Sequence, residues 1–265
     1  MRNPSLTLRT EMFYWRAGGE VLDRGDYWLI RSPTNPTYYF GNLLYFHRPP
    51  GDGDYERWLK LFQQEFEDSP QVKHILFIWD APEGEPGELK PFADAGFDVQ
   101  SNVTLATGKV VPPVTLNKEI NVRRVVSDDQ WEEVLASKIR LRDPRFDLET
   151  YTPFKKRWLE LRRELAERGL GNWYGAYIGD RLVGDLGLFR DGNVGRFQDV
   201  GTDVEFRRRG ICGTLVHEVS KQALESGDVE TLVMIADQNY HAAKIYESVG
   251  FKPAGWHVSA CRYPI

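Results

Sequence analysis

Two rhythms of apolar residues alternate along the chain. In the first half, Tyr27–Arg31 (YWLIR) reads as a strand and Ser32–Pro36 as a Pro/Asn turn. Tyr38–His47 reads as a second strand interrupted at Gly41. The spacing of Trp58, Leu61, Phe62 and Phe66 predicts an amphipathic helix over Tyr55–Glu67. A shorter helix is expected at Leu8–Trp15, and another at Leu89–Ala95 closed by Gly96. The unbroken apolar run His74–Trp79 (HILFIW) suits a strand covered on both faces. Phe97–Ala106 leads into a last strand, and the polar, Pro-bearing stretch Thr107–Asn117 reads as a linker. Two domains are therefore expected, 1–117 and 118–265.

The second half starts with a strand over Ile120–Val126. Ser127 with Gln130 forms a capping-box pattern, opening a helix to about Arg140 with Trp131, Val134, Leu135 and Ile139 inward. Thr152 and Pro153 form an N-cap and first-turn pair for a helix that stops at Gly169. Trp173–Ile178 and Leu182–Phe189 are strands joined by the Gly179–Asp180 turn, and Val194–Phe206 is a long strand. A helix over Thr214–Ser226, the buried run Thr231–Ala236, a helix over Asn239–Val249 and a final strand Trp256–Tyr263 complete the half. The order is β-α-α-β-β-β-α-β-α-β, an α/β (α+β) arrangement.

The chemistry concentrates where the long strand meets the helix, in VGTDVEFRRRGICGTL, Val200–Leu215. A strand feeding a helix through a Gly turn leaves the first helical N–H groups without acceptors. The helix dipole adds partial positive charge there, and Arg207, Arg208 and Arg209 add more, so the turn suits a phosphate. The Walker and Rossmann glycine patterns are both absent. The spacing Arg207-x-x-Gly210-x-Cys212, then Gly213, resembles the Gln/Arg-x-x-Gly-x-Gly/Ala pyrophosphate loop of the GNAT superfamily of N-acetyltransferases, with Cys212 in place of Gly or Ala. A second stretch, Asp237–Phe251, resembles that family's Asn-x-x-Ala-x-x-x-Tyr-x-x-x-Gly-Phe through Asn239, Ala243, Tyr246, Gly250 and Phe251.

The halves also echo each other. HILFIWD (His74–Asp80) parallels TLVMIAD (Thr231–Asp237), and FADAGF (Phe92–Phe97) parallels YESVGF (Tyr246–Phe251). Arg48-x-x-Gly51-x-Gly53 formally repeats the loop spacing. The chain thus reads as a tandem pair of GNAT-like domains, each a mixed sheet flanked by helices, with a degenerate first copy. Pro49 and Pro50 lack N–H donors, and Asp52 and Asp54 bring negative charge, so the first loop is poorly suited to pyrophosphate. A structural or substrate-shaping role and a second, weak cofactor site are the two readings of that half.

Composition narrows the partners. The 265 residues are 41% hydrophobic, enough for packed cores. The formal charge of −5 comes from the first half, with 11 basic against 16 acidic residues; the second half is balanced. Nucleic acid is not an expected partner. Two cysteines do not make a disulfide scaffold, no metal-type Cys/His pairing appears, and no run is long enough for a membrane helix. A cytoplasmic setting is expected; oligomeric state is not readable.

The resemblance implies acetyl transfer from acetyl-CoA, or another short acyl-CoA, to a primary amine of an unidentified acceptor, a small molecule being the expectation; the charged stretch Arg142–Thr150 does not choose among an antibiotic, a polyamine, an amino acid and a protein N-terminus. It implies that Arg207, Arg208, Arg209, Gly210, Ile211, Cys212, Gly213 and Thr214 hold the pyrophosphate, that Val200 and Thr202 pair with the pantetheine arm, and that Asn239 also touches the cofactor. It makes Tyr246 the general acid for the departing thiolate, although its helical stripe also fits a core aromatic. Asp199 and Glu205, on one face of the strand if no bulge intervenes, and Asp185 are candidate bases; a water chain is the alternative. His217 and His241 read as helix surface or cap, and His257 as a possible pocket residue. The rival function is a non-catalytic acyl-CoA-binding sensor or scaffold.

Overall fold

The computed structural model describes residues 5–81, 84–237 and 242–264. In chain order the elements are α1 (Leu6–Gly18), β1 (Glu20–Asp23), β2 (Tyr27–Arg31), β3 (Leu43–Phe46), α2 (Asp54–Glu65), β4 (Ile75–Asp80), α3 (Lys90–Asp94) and β5 (Asp98–Thr107). They continue with β6 (Asn121–Arg124), α4 (Asp128–Leu141), α5 (Leu148–Glu167), β7 (Gly171–Ile178), β8 (Arg181–Asp191), β9 (Val194–Thr202), α6 (Ile211–Glu225), β10 (Thr231–Asp237), α7 (Ala242–Ser248) and β11 (Lys252–Arg262). The chain folds as two compact units. One comprises Met1–Thr104, Ala236–Gln238 and Ala254–Ile265; the other comprises Leu105–Ile235 and Asn239–Pro253. Most of the chain's last strand, β11, therefore belongs to the first unit.

The first unit carries the strand order β1-β2-β3-β4-β11-β5. β3 and β4 run parallel and stay paired through Phe46↔Trp79, the last residue of β3. Helix α2 bridges them and stacks Trp58 on Phe46, ring centroids 3.7 Å apart and ring planes nearly parallel. Phe77, Trp79, Phe92 and Phe97 pack around this stack, and Val258 and Ala260 of β11 close it. The predicted strand Tyr38–His47 is shorter than its pattern suggested. Its first part is a 3-10 turn at Tyr39–Gly41, because Asn42 turns its amide back onto the carbonyls of Asn35, Pro36 and Tyr38.

The second unit carries the order β10-β9-β8-β7-β6. It is antiparallel except for β9 and β10, which run parallel and are registered at Val194, Gly195 and Arg196 only. Beyond Arg196 the strands part, and the end of β9 keeps its outer backbone groups for another strand-like partner. Helix α6 crosses between them, burying Leu215, Val216 and Val219. The capping box at Ser127 and Gln130 forms as expected. The second helix starts earlier than Thr152–Pro153 suggested: Asp147 accepts from the Thr150 N–H at 2.8 Å, caps the helix at Leu148 and leaves Pro153 inside it. The helix expected from Thr214 likewise starts at Ile211, with Gly210 as N-cap.

Both units contain strand, left-handed glycine, helix, parallel strand. The glycine before α2 is Gly53 (φ 75°, ψ −3°), and the glycine before α6 is Gly210 (φ 75°, ψ 1°). The structural partner of Gly210 is thus Gly53, two residues beyond the Gly51 that formal spacing pairs with it.

Candidate active site

A cleft of about 740 Å³ opens in the second unit at the parting of β9 from β10. One end is the arginine turn. Gly210 adopts a left-handed conformation, Arg208 does too (φ 61°), and no side chain caps α6. The first-turn N–H groups of Ile211, Cys212 and Gly213 therefore have no helical acceptor and face the cleft these residues line. Arg207 and Arg208 also line it. This concentration of N–H donors, dipole and guanidinium charge fits a pyrophosphate.

The middle of the cleft is the end of β9, Val200–Thr202, with Ala242, Ile245 and Tyr246 of α7 on the wall. The other end holds Lys138, Leu141, Tyr151 and Asp199. A β-bulge makes this end: Gly187 faces Gln198 and Asp185 faces Gly201, so Asp199 and Val200 together oppose Leu186. Asp199 takes φ 49°, a strained conformation for a residue with a Cβ. Lys138 donates to the Asp199 carbonyl and lies 2.7 Å from Asp185 Oδ1. Lys155 donates to Asp199 Oδ2 at 2.9 Å.

These contacts decide the fate of each candidate base. Burial alone would push the Asp199 carboxyl up, but the Lys138 and Lys155 ammonium groups outweigh it and hold the carboxyl well below the usual carboxylate range. It stays ionised at neutral pH and is a poor proton acceptor. Asp185 is fully buried and pushed up by burial against the pull of Lys138. Its oxygens are taken by Lys138, by the Trp173 indole N–H at 3.1 Å and by the Ser137 hydroxyl at 3.3 Å. Glu205 is not on the strand. β9 ends at Thr202, and Glu205 lies in a 3-10 turn, Val204–Phe206, exposed and paired with Arg181. The bulge also cancels the alternation that would have put residues 199 and 205 on one face.

Of the residues expected to hold the cofactor, Val200, Thr202, Arg207, Arg208, Gly210, Ile211, Cys212 and Gly213 line the cleft. Arg209 does not; it turns to Glu119 at 2.8 Å. Thr214 is buried, donating to the Gly210 carbonyl at 2.9 Å and accepting from the Asn117 N–H at 2.8 Å. Asn239 and His241 lie outside the described residues. Tyr246 is buried on the cleft wall. Burial pushes the Cys212 thiol up to about 12, so it is protonated at neutral pH. His257 belongs to the first unit, and His217 is buried on α6 outside the cleft lining.

Residues 135–251 match the family described as Acetyltransferase (GNAT) family. This stretch of the chain is a GNAT domain. Acyl-CoA-dependent acetyl transfer is the general chemistry of that family, and the phosphate-ready loop and parted strands sit within the matched segment. No curated protein matches the chain. Among solved structures, a GCN5-related N-acetyltransferase from Kribbella flavida is similar over 98% of this chain and 96% of its own, with TM-score 0.66 and 15% identity. A functionally unknown conserved protein from Staphylococcus epidermidis is similar over 93% and 95%, with TM-score 0.69 and 13% identity. A tandem GNAT protein from the clavulanic acid biosynthesis pathway is similar over 83% and 73%, with TM-score 0.54 and 16% identity. At such identities the likeness concerns the fold, which extends across both units of the chain.

The first unit's equivalent loop is already filled. Arg48 pairs with Asp54 at 2.6 Å, the Gly51 N–H donates to Asp54 Oδ2 at 2.8 Å, and Arg57 reaches Asp54 Oδ1. The arginine and the Gly51 N–H of this loop are thus taken by the chain's own carboxylate. With β3 and β4 paired to the end of β3, this unit lacks the parted strands as well.

Sequence reasoning missed Lys138, Tyr151 and the segment Pro113–Thr115, all of which line the GNAT cleft. The lysine left a signal: it falls on the inward stripe with Trp131 and Val134. The segment read as a linker left none. It packs on the loop instead, with the Asn117 amide donating to the Arg209 carbonyl at 2.8 Å. Among the described residues no cluster of three metal-type side chains occurs, and no helix is long and apolar enough to cross a membrane.

Proposed function

We propose that the GNAT unit is an N-acetyltransferase that moves the acetyl group of acetyl-CoA to a primary amine of a small-molecule acceptor. The observation that carries this reading is the continuity of the cleft. A loop with unclaimed N–H groups and two arginines, an open strand end and Tyr246 all line one cleft. In this reading the loop N–H groups of Ile211–Gly213 grip the pyrophosphate, and Arg207 and Arg208 add charge. Val200–Thr202 pair with the pantetheine arm as an added strand would. The amine attacks the thioester carbonyl, the C–N bond forms, the C–S bond breaks, and the Tyr246 hydroxyl gives its proton to the thiolate.

No carboxylate in the cleft is suited to hold the ammonium proton, so that proton leaves to solvent. The neighbouring lysines help by favouring the neutral amine over the ammonium. Tyr246→Phe tests the assignment. The variant should bind acetyl-CoA with wild-type affinity and lose roughly 10²-fold or more in kcat on any accepted amine, the usual worth of a positioned acid. Wild-type turnover in the variant contradicts the role of Tyr246. A protein that binds acetyl-CoA but acetylates nothing in a broad amine panel is the sensor rather than the enzyme.

A further inference from the structure

The chain just before β6 is laced to both ends of the arginine turn. At the near end, Asn117 Nδ2 donates to the Arg209 carbonyl at 2.8 Å. At the far end, the Asn117 backbone N–H donates to Thr214 Oγ1 at 2.8 Å, and that hydroxyl in turn donates to the Gly210 carbonyl at 2.9 Å. Asn117 Oδ1 accepts the N–H groups of Glu119 and Ile120 at 2.9 and 3.1 Å, which pins the side chain in place. Two N–H donors at one end of the amide and a carbonyl at the other fix its orientation. Between the anchors at Arg209 and Thr214 lie Gly210, Ile211, Cys212 and Gly213, all four in the cleft lining, whereas Asn117 lies outside it.

In a trans peptide the C=O and the N–H point to opposite edges of one plane, and the described chain has no cis peptide. Holding the Arg209 carbonyl on Asn117 therefore turns the Gly210 N–H the other way, toward the cleft. That N–H takes no acceptor among the described residues. Arg208 and Gly210 on either side of Arg209 are both left-handed, and peptides turned in this way make an anion-binding concavity. The left-handed conformation is costly for Arg208, which has a Cβ, so the peptide after Arg209 needs a hold from outside the turn. The strand end that would take the pantetheine arm is held separately, by its pairing with β8 at Asp185↔Gly201 and Gly184↔Thr202. We propose that Asn117 is a cofactor-positioning residue: it orients the Arg209–Gly210 peptide so that the Gly210 N–H joins those of Ile211–Gly213 on the diphosphate of acetyl-CoA, and it leaves the pantetheine half of the site unaffected. The inference rests on the acetyl-CoA reading above and adds to it a residue that acts from outside the cleft.

The test compares two thioesters on the full-length protein. Acetyl-CoA is titrated by calorimetry, and S-acetylpantetheine, which keeps the thioester and the arm but lacks the diphosphate, by ligand-observed NMR. Asn117→Ala should bind acetyl-CoA about tenfold more weakly, the worth of one hydrogen bond to a charged group, and S-acetylpantetheine within about twofold of wild type. Backbone amide resonances of the ligand-free variant should shift at Arg209–Thr214 and stay in place at Val200–Thr202. Asn117→Asp keeps the size of the side chain and the Oδ1 bonds to Glu119 and Ile120 while removing the Nδ2 donor, so it tests the same contact should the alanine variant fold poorly; its loss of acetyl-CoA affinity should be as large or larger. Wild-type affinity for acetyl-CoA in a folded variant overturns the proposal. So does an equal loss for the two thioesters, or a shift pattern that reaches Val200–Thr202, either of which would make Asn117 a support of the whole unit. Failure of the wild-type protein to bind acetyl-CoA is a different result: it removes the cofactor reading itself.

Discussion

Gly210 and Gly53 allow the same perturbation to be made in two settings of the same chain. Both cap the helix that follows the first strand of a parallel pair, and both have φ 75°. Alanine in that left-handed conformation costs roughly 1–2 kcal/mol in either place. The surroundings then separate them. A Cβ on Gly53 would meet nothing within 4 Å, whereas a Cβ on Gly210 would lie 2.4 Å from the Thr115 carbonyl oxygen and 3.0 Å from Thr115 Cγ2. Because the nearest atom is backbone, the loop or the 113–117 segment must move, at an overpacking cost of about 1–3 kcal/mol. Gly53→Ala should therefore destabilise by about 1–2 kcal/mol and leave acetyl-CoA binding untouched. Gly210→Ala should destabilise by about 2–5 kcal/mol and weaken acetyl-CoA at least about tenfold, as the N–H groups of Ile211–Gly213 lose their alignment. Chemical denaturation and calorimetric titration of the two variants side by side check this. Equal destabilisation with wild-type affinity in both would refute the argument that the 113–117 segment holds the loop in register.

Two further outcomes follow from the first unit. His74 Nε2 donates to the carbonyls of Asn42 at 2.9 Å and Tyr39 at 3.2 Å, and burial pushes its pKa down to about 4. The unfolded chain therefore takes up the proton first: stability is complete above about pH 6.5, falls by roughly 3 kcal/mol as pH drops toward 4, and levels off below. Denaturation midpoints of the wild type and His74→Gln across that range should show the steeper loss in the wild type, and parallel curves contradict it. Asp54→Asn weakens the anchors to Arg48, Arg57 and Gly51; it should cost the first unit about 1–3 kcal/mol in denaturation yet add no second acetyl-CoA site, because β3 and β4 stay paired.

Much of this organisation is written locally. The capping box at Ser127, the hairpin at Gly179–Asp180 and the buried runs at His74 and Thr231 each depend on neighbours in sequence, and the strand and helix order of the second half follows from them. The arginine turn was legible for the same reason, since a left-handed glycine before a helix leaves its mark in a few residues. What escaped depends on tertiary contacts. The Asp199 bulge arises from register between β8 and β9, so strand alternation extended too far and placed Glu205 on a strand that ends at Thr202. Asp147 captured the start of α5 from Thr152. Arg209 looks like a phosphate ligand in the string Arg-Arg-Arg until Glu119, ninety positions earlier, draws it away. Lys138 and Lys155 were visible as charges on apolar stripes, but only the meeting of α4, α5 and β9 shows that they share Asp199.

The most direct test of the account is a calorimetric titration of the full-length protein with acetyl-CoA, read for stoichiometry and repeated with Gly210→Glu. One site per chain, lost in the variant, is the predicted result, since the phosphate-ready loop lies in the second unit and Asp54 fills its counterpart. Two sites, or one site that survives Gly210→Glu, would contradict the placement of the cofactor. No binding at all would leave a GNAT fold without the GNAT chemistry.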